Sequence, residues 1–585
     1  MSLRFYSKLP SLVNRRLLGV RLRHHHSGLP ARLDPEVANQ RRERTDFEHM
    51  AGQPLDLVVT NGTVVLGGGR YRVAVGVKDG KVAMLAPEEL MPAAERTIDA
   101  RGNYVLPGVV DSEAHPGCYV PFDYDMTTES RAAATAGITT WGIQAPTTRL
   151  GTKPFKEVVG RADVVSFNES FPSGRDVINE VSHVDAYLTY MLETDEHARE
   201  IPQYAEEHGV TSFKLYLQTR SMKGMSDEDD TNWPSRRAGL GTGIDDGTVY
   251  LVMEEVAHIG HPGIVHIHPE NWEIGRIFED RLRSSGRTDF GSWTDRSPDF
   301  LEAHHVRSYA YLAMQTPGHV PLYLQHCTTK LSFEEVARAR AEGLELYAQT
   351  GPPWLWAEPE YGWRINVPLR RRDNIEALWV ALAEGIVDVV GSDHVVGWEP
   401  ASHEEMYDPV IWDCRTGFSR VELFLPVMLS EGVNKGRISL ERAVQVSCEN
   451  PAKTSGLWGT KGSLLPGFDA DMVIIDLGRD VKVGKEHINT RSGWSIMEGH
   501  TFTGWPIMTI LRGEVSAEWA DDSPGMRPVG EARGLYLPRK LGPKHQVLDA
   551  NSPARVAPTH RWLADDFARP GFAPETTRYT RPIGG

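Results

Sequence analysis

The sequence has few cysteines and contains no CxxC pair. Its four cysteines, Cys118, Cys327, Cys414 and Cys448, lie far apart along the chain, which argues against a disulfide framework and against a zinc site built on cysteine. We expect buried thiols in a reducing compartment, and therefore a cytoplasmic protein.

Long apolar runs and a surplus of positive charge are lacking as well. No run approaches the roughly 18 apolar residues that a membrane-spanning helix needs. The formal net charge is -16, whereas a grip on nucleic acid requires clustered Lys and Arg. We therefore expect neither a membrane nor a nucleic acid as a partner.

Acidic residues are absent from the first 33 residues, which carry seven Lys or Arg. Simple basic tails and organelle transit peptides share this composition, but the long apolar region of a secretory signal is missing. We interpret residues 1–53 as a basic N-terminal extension, with an organelle targeting signal as the alternative.

Two separated segments, 54–107 and 452–535, are rich in short β-type runs such as DLVVTNGTVV and DADMVIIDL. We expect them to join into one small β-sandwich domain. Within the first segment, the dipeptides Asn61-Gly62 and Asp79-Gly80 stand between apolar runs and predict tight hairpin turns, because both residue types tolerate positive φ.

Residues 108–451 alternate strand-like runs such as GIVHIH and VPLYLQH with helical stretches such as SFEEVARARAEG. Strand followed by helix, repeated over this length, predicts an α/β protein with a closed (β/α)₈ TIM barrel. Residues 219–246 and 396–416 are expected to be inserted segments at its mouth, either of which could form a substrate lid. The stretch 536–585 predicts an arm across a neighbouring subunit or a loose tail.

Five strand-like runs end with side chains that can bind a metal ion. They are VVDSEAH (Asp111, Glu113, His115), TSFK (Lys214), IVHIH (His266, His268), LYLQH (His326) and VVGSDH (Asp393, His394). The C-terminal ends of barrel strands converge on one mouth. Imidazole and carboxylate are the usual ligands of zinc and similar ions, and a Lys can join them once CO₂ has converted it to a carbamate.

With these stretches the chain resembles the amidohydrolase superfamily, specifically its dihydropyrimidinase and hydantoinase branch. The resemblance also includes NVPLRRRDNIEALWVAL and ENPAKTSGLWGTKGSLLPGFDADMVIIDL, and it extends from about Asp56 to Val515. It implies a metal-dependent hydrolase that opens a C–N bond in a cyclic amide, imide or ureide, assembled as a homotetramer.

The resemblance also implies the roles of individual residues. The implied metal ligands are His115, Lys214, His268, His326 and Asp393. They would hold one or two divalent ions, zinc first and manganese second, with an N6-carboxylated Lys214 as the bridge. Asp393 would also act as general base, because a carboxylate beside a cation-activated water can carry its proton to the leaving nitrogen.

The first metal motif departs from the family. Where the family has His-x-His, this chain has Glu113-Ala114-His115. Glu113 could replace the imidazole as a ligand and favour a harder ion such as manganese. Alternatively, Glu113 does not bind metal and only one ion stays tightly bound.

The residues expected to contact the substrate depart as well. Thr219, Asn366 and Thr416 stand where the branch presents a Tyr, a Ser and an Asn. With His394 they are the candidate substrate-binding residues. His266 is interpreted as structural, on the strand face opposite His268.

Because the expected substrate contacts differ from those of the family, the sequence does not identify the substrate. Hydrolysis of an acyclic amide, urea or carbamate is one alternative, and a non-catalytic scaffold protein on the same fold is another.

Overall fold

A computed structural model describes residues 54–147, 165–217, 244–397, 402–414, 417, 419–520 and 522–542. The part before the barrel consists of seven strands: β1 (Leu55–Thr60), β2 (Thr63–Leu66), β3 (Gly69–Tyr71), β4 (Ala74–Lys78), β5 (Lys81–Ala86), β6 (Ala94–Asp99) and β7 (Tyr104–Pro107). Four of them form a small sheet in the order β5-β4-β1-β6.

Eight parallel strands form the central sheet in sequential order. They are β8 (Val109–Ala114), β9 (Ile138–Ala145), β10 (Asp185–Met191), β11 (Ser212–Leu215), β12 (Ile264–Ile267), β13 (Leu322–Leu324), β14 (Leu346–Thr350) and β15 (Val389–Val390). The chain after β15 closes the circle, because the backbone N–H of His115 donates to the carbonyl of His394 at 2.8 Å. The predicted barrel is confirmed.

Four strands follow the barrel: β16 (Met472–Lys482), β17 (Thr501–Leu511), β18 (Glu514–Glu518) and β19 (Arg527–Pro528). β16 pairs with β7 in antiparallel orientation, so strands from both ends of the chain share one seven-stranded sheet. Apolar residues of this sheet and of the four-stranded sheet, including Leu57, Val75, Val105 and Ile474, form one buried cluster. The expectation of a β-sandwich formed from two separated segments is confirmed.

Helices alternate with the barrel strands. Their bounds are α1 (Phe122–Thr135), α2 (Phe167–Val181), α3 (Asp195–Arg199), α4 (Ile201–Gln203), α5 (Asp246–Ile259), α6 (Trp272–Ser284), α7 (Gly291–Arg296), α8 (Phe300–Ala313), α9 (Lys330–Ala341), α10 (Pro352–Trp356), α11 (Arg372–Glu384), α12 (His403–Met406), α13 (Phe424–Val427), α14 (Leu440–Val444) and α15 (Asn450–Thr454). Because helices cover the outside of the barrel, strands such as β9 and β10 are buried along their whole length.

The two predicted hairpin turns have different outcomes. Asp79 (φ 49°) and Gly80 (φ 72°) join the antiparallel strands β4 and β5 in a two-residue turn, as expected. Asn61 also has a positive φ of 51°, but β1 and β2 on either side of it belong to different sheets. The prediction of a hairpin at Asn61-Gly62 is therefore wrong. At this turn the chain passes from one sheet into the other, because β1 and β2 pair with strands of different sheets.

The start of the predicted C-terminal arm packs on the chain's own barrel. Leu537 N–H donates to the carbonyl of Ala186 at 2.8 Å, and Arg539 N–H donates to that of Gly209 at 2.8 Å. The Arg539 side chain is buried and donates to the carbonyl of Leu188 at 2.7 Å. Residues 536–542 are therefore not a loose tail. The arm across a neighbouring subunit stays a prediction, and residues 543–585 lie outside the described part.

The two expected insertions are described only in part. Residues 218–243 lie outside the described residues, as do 398–401, 415 and 416. In the second insertion, Trp412 is buried and its indole N–H donates to the carbonyl of Arg287 at 2.7 Å. This part of the segment is therefore anchored on the loop that follows α6.

All four cysteines are buried and free of disulfide bonds, as expected from their spacing. Among the helices of the described residues, none combines the length and apolarity that crossing a bilayer requires.

A buried ion cluster connects the barrel to the sandwich. Lys461 Nζ lies 2.5 Å from Asp185 at the start of β10, 2.7 Å from Asp471 and 2.9 Å from Asp469, both of which precede β16. Arg512, which follows β17, also pairs with Asp185. Each carboxylate is tolerated inside the protein because these cations compensate its charge.

Replacing Lys461 with Met should lower the free energy of unfolding by roughly 3–5 kcal/mol, because three buried carboxylates lose their common cation. Urea denaturation measures this change. Lys81→Met is the matched control: Lys81 pairs with Asp469, but 52% of its side chain is exposed, so its loss should cost less than about 1 kcal/mol. Equal losses in the two variants would contradict the structural role of the buried cluster.

Candidate metal centre

The predicted ligands come together at the C-terminal mouth of the barrel. Glu113 is the penultimate residue of β8, and Lys214 lies in β11. His268 follows β12 directly, His326 lies two residues after β13, and Asp393 lies three residues after β15. The strands point in one direction, so their ends deliver these side chains to one place.

Glu113 occupies the centre of this group and has no exposed surface. Its Oε1 lies 3.0 Å from Lys214 Nζ, 3.3 Å from His326 Nε2 and 3.7 Å from His115 Nε2. Its Oε2 accepts a hydrogen bond of 2.9 Å from the side-chain amide of Gln349. Burial alone would raise the pKa of Glu113, but Lys214 and His326 hold it well below its usual value.

Asp393 lies between an imidazole and a guanidinium. Its Oδ1 is 3.1 Å from His115 Nε2, and its Oδ2 is 3.0 Å from Arg420 Nη2. Burial raises the pKa of Asp393, but the charge of Arg420 and the hydrogen bond from His115 outweigh burial and lower it. Asp393 is therefore an ionised carboxylate at neutral pH.

His268 is held from behind by a buried ion pair. Its Nε2 lies 3.3 Å from Glu270, whose other oxygen lies 3.1 Å from Arg296. The Arg296 guanidinium is sandwiched between Trp272 and Trp293, at 4.0 and 4.1 Å from their ring centres. Burial, with the nearby His326, lowers the pKa of His268 to about 4, so this imidazole is neutral at physiological pH, as metal ligation requires.

The donor set fits a divalent cation. One ligand atom each of Glu113, His326 and Asp393 lies within 4.8 Å of the others, and all three residues are buried. The rings of His268 and His326 are 4.6 Å apart. Nitrogen and oxygen donors in this mixture suit zinc and manganese.

The backbone at the mouth is held in an uncommon conformation. His326 (φ 38°) and Asp393 (φ 48°) both lie in the left-handed region, which is uncommon for residues other than glycine. Asp111 fixes the second of these loops, because its Oδ1 accepts the Ser392 N–H at 2.7 Å and its Oδ2 accepts the Trp141 indole N–H at 2.9 Å. Asp111 is therefore a support for Asp393 rather than part of the cluster.

His394 has both ring nitrogens engaged by the protein. Its Nε2 lies 2.9 Å from Glu129, and its Nδ1 accepts the backbone N–H of Arg420 at 3.3 Å. Burial lowers the pKa of His394 to about 4. This placement favours a role for His394 in holding the loop of Arg420 over a role in contacting the substrate.

Of the other candidate substrate contacts, Thr219 and Thr416 lie outside the described residues. Asn366 is half-buried at the mouth and forms a hydrogen bond with the hydroxyl of Tyr216. Sequence reasoning overlooked Tyr216, although it stands two residues after Lys214 and residues two apart share a strand face.

The same rule corrects the interpretation of His266. It pairs in register with Lys214 and with Tyr323, so these side chains share one face of the sheet. His266 therefore faces the same side as His268, and the expectation of opposite faces is wrong. Its ring stacks on Tyr323 at 4.3 Å, which supports the structural role.

The chain is similar to known hydrolases over most of its length. The model of the amidohydrolase family matches residues 300–516. The L-hydantoinase of Paenarthrobacter aurescens is 30% identical over 477 residues, which cover 79% of this chain and 94% of that protein. The allantoinase of Bacillus licheniformis is 27% identical over 497 residues, covering 83% and 99%. The solved structure of the L-hydantoinase (dihydropyrimidinase) from Arthrobacter aurescens superposes with a TM-score of 0.70 at 27% identity, covering 83% of this chain and all of that chain.

Gln349 generates a prediction about the centre. It donates to Glu113 and accepts the backbone N–H of His326 at 2.5 Å. Gln349→Leu should weaken binding of zinc by about 10- to 100-fold, because the two groups that it orients lose their partner. Titration of zinc against a competing chelator measures the affinity.

The matched control is Gln325→Leu. Gln325 is equally buried and adjacent to His326, but within the described residues its side-chain N and O have no hydrogen-bond partner. Its replacement should leave zinc affinity unchanged. An unaltered affinity in Gln349→Leu would contradict the orienting role.

Proposed function

The chain belongs to the amidohydrolase family, in its hydantoinase branch, and we propose that it is a metal-dependent hydrolase that opens the ring of a cyclic amide, imide or ureide. The observation that carries this proposal is the convergence of Glu113, His115, Lys214, His326 and Asp393 within a few ångströms at the barrel mouth, with His268 beside them. Hydantoinase and allantoinase relatives support the substrate class.

The cluster would hold one or two divalent ions. We propose zinc, with manganese as the second choice, bound by Glu113, His115, His268, His326 and Asp393. When bound, the cation polarises the scissile carbonyl and makes water nucleophilic near neutral pH. Retained ligation by Glu113 is supported by its central position, with Oε1 facing His115, Lys214 and His326.

For Lys214 we propose N6-carboxylation in the metal-loaded protein. The Lys214 amine lies beside the Glu113 carboxylate. A carbamate at that place would put two anions side by side, and this arrangement requires cations between them. Carboxylation and metal loading should therefore occur together, and intact-mass measurement with and without a chelator would reveal the addition of CO₂.

Asp393 is proposed as the general base. In the overall reaction a water oxygen bonds to the carbonyl carbon, the C–N bond breaks, and one water proton passes to the leaving nitrogen. A carboxylate can carry that proton. His115 and Arg420 hold its two oxygens from different sides, which fixes the orientation of the carboxylate.

We further propose a cytoplasmic homotetramer, with Thr219, Asn366 and Thr416 near the substrate. The proposed segments are an extension (1–53), the sandwich (54–107 and 452–535), the barrel (108–451) and a C-terminal segment (536–585). Strands β1–β7 and β16–β19 fall in the two sandwich segments, which supports these bounds. Light scattering of the purified protein tests the tetramer.

The metal-loaded protein should hydrolyse at least one member of a panel that contains hydantoin, dihydrouracil, allantoin and succinimide. Activity should vanish with a chelator and return with zinc or manganese. Asp393→Asn should lower kcat by about 10²- to 10⁴-fold, because the general base is lost. Asp280→Asn changes an exposed carboxylate on α6 and should leave kcat unchanged.

The panel also includes an acyclic amide and a phenylurea. Activity on these two compounds alone would contradict the cyclic substrate class and would show that the protein hydrolyses acyclic substrates. A protein that binds no metal and hydrolyses nothing would favour a scaffold role.

Glu113→Gln tests the atypical ligand. The amide keeps the shape but loses the charge, so we expect metal affinity to fall by at least about tenfold. Glu113→His, which restores two imidazoles, should bind metal more tightly than Glu113→Gln. Metal analysis after dialysis gives the number of ions per chain. If Glu113→Gln retains wild-type affinity and stoichiometry, Glu113 is not a ligand.

A further inference from the structure

Arg491 belongs to the second sandwich segment, in the connection between β16 and β17. Its guanidinium nevertheless packs against the barrel, with 4% of the side chain exposed. The Nε of Arg491 donates to Oδ1 of Asp125 on α1 at 3.0 Å, and its Nη2 donates to the carbonyl of Gly397 at 2.7 Å. One side chain of the sandwich therefore contacts two elements that follow different barrel strands, β8 and β15.

The contact with Asp125 extends to the loop of His115. The Oδ2 of Asp125 accepts the backbone N–H of Gly117 at 2.8 Å. Gly117 stands two residues after His115 and has a φ of 78°, a conformation that glycine adopts without strain. Asp125 is buried, so its negative charge requires the positive charge of Arg491. The chain just after His115 is therefore held by a carboxylate that Arg491 neutralises.

The other contacts of Arg491 reach the loop of Asp393. Gly397 stands four residues after Asp393. The backbone N–H of Arg491 donates to Oε1 of Glu129 at 3.1 Å, and Oε2 of Glu129 lies 2.9 Å from Nε2 of His394. His394 directly follows Asp393. Arg491 therefore holds this loop at two points, one through its side chain and one through its backbone.

The two residues before Arg491 reach a third segment. The backbone N–H groups of Asn489 and Thr490 donate to Oε1 of Glu422 at 2.7 and 2.6 Å. Glu422 is buried and stands two residues after Arg420, the partner of the proposed general base. This short stretch of the sandwich segment is therefore connected to every loop that surrounds the general base on that side of the mouth.

His115 and Asp393 lie 3.1 Å apart, so their separation depends on the loops that carry them. Arg491 contacts one loop through Asp125 and the other at Gly397, and a planar guanidinium fixes two such contacts relative to each other. We propose that Arg491 is a positioning residue that the sandwich contributes to the metal centre, and that it sets the placement of His115 against Asp393. The inference rests on the proposed metal-dependent function and extends the centre beyond the barrel.

Arg491→Met tests the assignment, because it removes both side-chain contacts and keeps an unbranched side chain. We expect zinc affinity to fall by about 10- to 100-fold, since two ligands lose their common support. We expect kcat on the best substrate of the panel to fall by about 100-fold with KM changed less than about threefold, since small displacements of reacting groups have effects of that size. Titration of zinc against a competing chelator and steady-state kinetics at saturating zinc measure these changes.

Two further variants test the geometry. Arg491→Lys keeps a positive charge beside Asp125 but lacks the planar fork that joins both contacts. Its zinc affinity should lie between those of the wild type and Arg491→Met. In the double variant Arg491→Met/Asp125→Asn, the loss of affinity should equal that of the weaker single variant rather than the product of both losses, because the two residues act through one contact.

Arg512→Met is the matched control. Arg512 is also an arginine of the second sandwich segment, and it pairs with the buried Asp185. Asp185 begins β10 and therefore lies at the end of the barrel opposite the mouth. Loss of this pair should lower the urea midpoint while zinc affinity and kcat stay at their wild-type values.

The outcomes separate the two proposals. An Arg491→Met protein that keeps wild-type zinc affinity and kcat overturns the positioning role alone, and so does one whose losses match those of Arg512→Met, because they would then follow from general destabilisation. If Arg491→Met does not fold, Arg491→Lys decides: wild-type affinity, or failure to fold here too, overturns the positioning role. A zinc-loaded wild type that hydrolyses nothing in the panel overturns the proposed function, while the zinc titrations still decide the role of Arg491.

Discussion

The ion pair between Glu113 and Lys214 is the constraint on which the rest of the centre depends. Both side chains are almost completely inaccessible to solvent, and an uncompensated charge in such a place costs several kcal/mol. The pair joins β8 to β11, and Gln349 of β14 supplies the next contact. Because these strands are far apart in sequence, closure of the barrel and compensation of the buried charge occur together.

Side chains of the centre, or the loops that carry them, are held by contacts to further residues. Glu270 contacts the Nε2 of His268. Asp111 holds Ser392, the residue before Asp393. Gln349 accepts the backbone N–H of His326. The hydrogen bonds at Ser392 and His326 explain how Asp393 and His326 keep their left-handed conformations, since they oppose relaxation of the backbone.

The barrel and the identity of the clustered residues could be predicted because parallel strands deliver their C-terminal residues to one mouth. That rule is enough for Glu113 and Asp393, which end apolar runs in the sequence. The same-face rule for residues two apart could also have found Tyr216, and its misapplication put His266 on the wrong face. Arg420 could not be predicted, because it lies in a loop whose course depends on tertiary contacts such as the hydrogen bond to His394.

Arg420 also bears on the departure from the family motif. Glu113 and Asp393 bring two negative charges to the mouth, and Lys214 and Arg420 bring two positive charges in direct contact with them. While Lys214 keeps its free amine, an imidazole at position 113 would leave this group with a surplus positive charge, which opposes the first approach of a cation at so short a distance. The carboxylate at position 113 removes that surplus. Glu113 and the buried guanidinium of Arg420 therefore belong to one electrostatic arrangement, in which a change at either residue alters the charge that the mouth presents to a metal ion.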